Sequence, residues 1–77
     1  MSARALESLD RKEEAVEALR RLLRLRPLDP NVHVRLGRLQ WAGGKRHRAL
    51  FLLRRALQLG ADPAVVEPII REILAGD

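Results

Sequence analysis

Asp29-Pro30 and Asp62-Pro63 place the same two-residue signal at two points of the chain, 33 residues apart. Aspartate caps the free N–H groups that open a helix, and proline suits the first helical turn, where no N–H is needed. Stops match these starts. Gly43-Gly44, Gly60 and Gly76 stand where helices would end, and glycine takes the left-handed backbone that closes a helix without a Cβ penalty. Punctuation this dense leaves room only for short helices, at about residues 30–42, 45–59 and 63–75.

Apolar spacing fills these intervals at the helical period. Val32, Leu36, Leu39 and the small Gly37 share one face, and Ile69, Ile70, Ile73 and Leu74 mark the last helix. Pro68 lies inside that helix and is expected either to kink it or to mark its true start. Upstream, Asp10 and Glu13 stand at capping-box spacing. Ala15, Val16, Leu19, Leu22, Leu23 and Leu25 then predict a helix from about Arg11 to Arg26, stopped by Pro27. Residues 3–9 form either a short leading helix or the start of one continuous helix through residue 26. The chain is rich in Leu, Ala, Arg and Glu and lacks Thr, Tyr and Cys. That composition favours helix, and the fold class is all-α.

A longer period underlies the helices. Ala15 and Ala49, Leu19 and Leu53, Leu22 and Ala56, and Pro27 and Ala61 are each 34 residues apart, as are Asp10 and Gly44. This spacing resembles the tetratricopeptide repeat (TPR), a helix–turn–helix unit. That family's first helix bears an aromatic, Leu-Gly and a second aromatic, at places held here by His33, Leu36, Gly37 and Gln40. Its second helix bears an alanine, then after three residues an aromatic, and a later proline, at places held by Ala49, Leu53 and Ala61, and one period earlier by Ala15, Leu19 and Pro27. Both aromatics of the first helix and the later proline are replaced, while the small residues Gly37, Ala49 and Ala56 are kept. The resemblance implies antiparallel helix hairpins stacked as a short TPR-like α-solenoid. Residues 1–77 then form a single domain: 3–29 a partial repeat, 30–63 a full repeat, 64–75 a capping helix. One and a half repeats bury little apolar surface, so the chain is expected to self-associate or to belong to a larger assembly.

Chemistry is sparsely provided for. The serines are Ser2 and Ser8, the histidines His33 and His47. No set of residues has the spacing of a catalytic group, a metal site or a cofactor motif. His33 takes a packing place in the repeat. No enzyme activity and no cofactor is expected. The opening MSARALESLD has acids where a leader needs apolar residues, and no apolar run approaches a membrane span, so a cytoplasmic location without membrane contact is expected.

Charge is segregated. The net charge is +5, yet residues 20–55 hold eleven Lys or Arg against Asp29 alone. Both flanking segments are net negative. An acidic partner suits the middle segment. Helical spacing puts Asn31, Arg35, Arg38 and Trp41 on the stripe of their helix opposite its core face. In the family, first helices line the concave groove, and some members clamp an acidic peptide terminus there with Lys, Arg and Asn. Asn31 and Arg35 resemble part of such a clamp. The following helix opens with Lys45, Arg46, His47 and Arg48, bases at the end where the helix dipole favours acids. The candidate partner-binding residues are therefore Asn31, Arg35, Arg38, Trp41, Lys45, Arg46 and Arg48. The resemblance implies a non-catalytic adaptor or scaffold that binds an acidic peptide or protein. The alternatives are a nucleic-acid-binding accessory protein or a small structural subunit.

Overall fold

A computed structural model describes the backbone of residues 3–76 and the side chains of residues 11–76. Four helices follow one another: α1 (Ala3–Leu25), α2 (Pro30–Ala42), α3 (Arg46–Gln58) and α4 (Pro63–Ala75). Each packs on the next, and α4 also reaches back to α2. The result is an all-α, TPR-like helical repeat.

The expected starts are present. Asp29 accepts a hydrogen bond from the Asn31 N–H at 2.9 Å, and Asp62 accepts one from the Ala64 N–H at 2.9 Å. The expected glycine stops are present as well. Lys45 N–H donates to the Gln40 carbonyl (2.8 Å) and Gly44 N–H to that of Trp41 (2.9 Å), while Ala61 and Gly60 donate in the same way to Ala56 and Leu57. These paired bonds form Schellman closures around a left-handed residue. Gly44 has φ +79° and Gly60 φ +104°, and among the described residues no other residue type takes positive φ. Pro68 does not mark the start of α4, which begins at Pro63 and continues through it.

Of the two courses open to the N-terminal segment, the chain takes the continuous helix. Asp10 is not a cap: α1 runs unbroken from Ala3 to Leu25. Asp10 stands 34 residues before Gly44, at the place where the full repeat turns. Without glycine the left-handed conformation is disfavoured there, so the helix continues.

The core lies between α2, α3 and α4. Leu53, Ala49, Ala56 and Val66 are fully buried, and Val32, Leu36 and Ile73 nearly so. His33 is buried too, its Nδ1–H donating to the Asp29 carbonyl at 2.8 Å. Gly37 lets α2 and α3 approach: a Cβ placed there would lie 3.0 Å from Leu53 Cγ and 3.3 Å from the Ala49 carbonyl oxygen. By contrast, α1 touches only α2 among the described residues, and none of its described side chains is fully buried.

Two stability predictions follow from this packing. Gly37→Val overfills the α2–α3 contact and should cost roughly 1–3 kcal/mol, read as a lower Tm in thermal unfolding. Lys45, the residue before α3, makes no side-chain capping bond. Lys45→Ser supplies the missing cap without adding a charge beside Glu13 and Glu17 and should raise stability by about 1 kcal/mol, or roughly 4–8 °C in Tm for a domain of this size.

Candidate interaction groove

Among the described residues α1 packs only on α2, and the angle between the two helices stays open. It forms a groove of about 590 Å³. Its floor is apolar: Ala15, Ala18 and Leu19 from α1 and Leu39 from α2. Alanines at two of these places leave the room. Arg35 and Arg38 border the groove, are exposed, and stand three residues apart on one helix face. Guanidinium groups in this position make forked hydrogen bonds to carboxylates.

Asn31 and Arg35 share a second recess, of about 470 Å³, with Leu22 and Arg26 at the α1–α2 turn. Arg35 thus joins the two recesses into one surface along α2. Trp41 lies one turn beyond Arg38 and is 36% exposed.

The bases that open α3 are placed elsewhere. Lys45 lines a third recess, against a different face of α1, together with Lys12, Glu13 and Glu17. That recess carries both signs of charge, Glu13 and Glu17 against Lys12, Arg20 and Lys45. Arg48 is exposed and Arg46 half-buried. The seven candidates fall on at least two surfaces. Asn31, Arg35 and Arg38 belong to the groove side, and Lys45 does not.

Ala15, Ala18, Leu19 and Leu39 were not among the sequence candidates. Ala15 and Leu19 had been read as packing positions of the repeat. Their availability arises because no helix covers them, which only the unbroken course of α1 shows. Ala18 bears no polar group that would single it out.

Among the described residues, no His, Cys, Asp and Glu group could hold a metal ion, and no helix is long and apolar enough to cross a membrane. Comparison with known proteins finds a match to the family model described as tetratricopeptide repeat over residues 1–39, which takes in α1 and most of α2. No curated protein and no solved structure matches the chain. The matched half of the sequence, the 34-residue period and the stacked helices agree, and the chain belongs to the tetratricopeptide repeat family.

Proposed function

We propose that this protein is a non-catalytic interaction module that binds an acidic, amphipathic helix or peptide in the α1–α2 groove. Members of the family are generally protein-interaction modules. The observation that carries the reading is the pairing of an apolar floor, Ala15, Ala18, Leu19 and Leu39, with Arg35 and Arg38 on its border. Leucines of the ligand fill the floor, and its carboxylates meet the guanidinium groups. Arginine at the edge of an apolar pocket is a frequent source of binding energy.

The test is fluorescence anisotropy with a labelled peptide that alternates leucine and glutamate at helical spacing. Binding should weaken as salt rises, because the border charges are exposed. Replacing Arg35→Glu and Arg38→Glu together should lower affinity by about tenfold or more, on the scale of hot-spot arginines. An affinity unchanged by that double substitution would refute the groove as the site. Preferential capture of a nucleic-acid probe, lost on Arg48→Glu and not on the groove substitutions, would move the function to the start of α3.

A further inference from the structure

The outer face of α3 sets one exposed aromatic ring among cations. Ala49, Leu53 and Ala56 turn inward and are fully buried. Helical spacing puts His47, Arg48, Phe51, Arg54, Arg55 and Gln58 on the opposite side, and all six are exposed. Phe51 stands at the middle of that face and is 70% exposed. Its neighbours three and four residues away are Arg48 and His47 on one side and Arg54 and Arg55 on the other.

His47, Leu50, Phe51, Arg54, Arg55 and Gln58 line a recess of about 330 Å³. Among the described residues no carboxylate lines it. Residues 45–58 hold five Lys or Arg and no Asp or Glu, so an anion approaching this face meets no opposing charge from α3. Arg55 Nη1 donates a hydrogen bond to the Gln58 side-chain oxygen at 3.1 Å. That bond holds the guanidinium along the helix and leaves its other N–H groups for a ligand. No residue lines both this recess and the α1–α2 groove.

We propose that the outer face of α3 is a second binding surface, and that it takes a single-stranded nucleic acid. A base stacks on the Phe51 ring. The phosphates on either side of that base meet Arg48 and the Arg54–Arg55 pair, with Arg48 and Arg55 about 10 Å apart along the helix axis. Stacking accepts any base, because each has a π-face, and arginines draw in the backbone. A duplex keeps its base faces within the stack and offers Phe51 no partner. A bilayer suits the face less well, since a helix lying on lipid buries a broad apolar side and Phe51 is the one exposed apolar residue of α3. Carboxylates of a peptide would answer the arginines and leave the ring unused. The proposal is independent of the groove reading.

The test is fluorescence anisotropy of the full chain with a short labelled oligothymidylate. It should bind several-fold more tightly than a duplex of the same length. Log affinity should fall with log salt at a slope of about −2, from three phosphate contacts at about −0.7 each. Phe51→Ala should weaken binding about tenfold, the scale of one stacked base, and leave the salt slope unchanged. Phe51→Trp should keep the affinity. Arg54→Gln with Arg55→Gln should flatten the slope by about 1.4. Every replaced side chain is exposed, and circular dichroism should show the helix content unchanged. Absent binding at low salt, equal affinity for duplex and single strand, or single-strand binding that Phe51→Ala leaves intact would overturn the proposal. So would capture of phosphatidylserine vesicles that the oligonucleotide does not displace. Phe51→Ala should not alter binding of the leucine–glutamate peptide in the groove, so either surface can fail while the other stands.

Discussion

The close contact between Gly37 and the Leu53–Ala49 ridge sets the spacing on which the rest of the fold depends. On α3, Ala49 and Leu53, which meet Gly37 on one side, join Val66 and Ile73 of α4 in one buried cluster. With that cluster in place, α4 is held on α3, and α2 has a fixed outer face that presents Arg35 and Arg38. A larger residue at position 37 would push α3 outward and disturb both. The groove is thus positioned by a residue that does not line it.

Most of the helical skeleton was legible because its signals are local. Asp29-Pro30, Asp62-Pro63, Gly44 and Gly60 each act on backbone groups within a turn of themselves, so neighbours in sequence suffice to read them. Asp10 shows where local reading fails. Its spacing to Glu13 fits a cap, but a cap also requires the preceding chain to leave the helix, and nothing before Asp10 forces it to. Comparison with Gly44, one period later, holds the missing information. The border of the groove was legible through the helical spacing of Arg35 and Arg38. Its floor was not, because an alanine such as Ala18 acquires a role only from the absence of a covering helix.

Closeness in sequence also misled in one respect. Lys45 follows Arg38 by seven residues, and both belong to the same basic stretch, yet the Gly43-Gly44 turn carries Lys45 to a recess bordered by Glu13 and Glu17. A charge run counted along the chain is divided by the fold between two surfaces.

The single-sided support of α1 has a consequence for how the molecule comes apart. In a stacked array, each element is held by its neighbours, and an element at the end is held by one. The helices α2, α3 and α4 contact one another in a ring, whereas among the described residues α1 is attached to α2 alone. Opening of α1 therefore leaves the cluster of Ala49, Leu53, Val66 and Ile73 in place, a sub-global event. The stretch that the family model matches contains the least anchored helix, and the buried cluster is built beyond it, from α3 and α4.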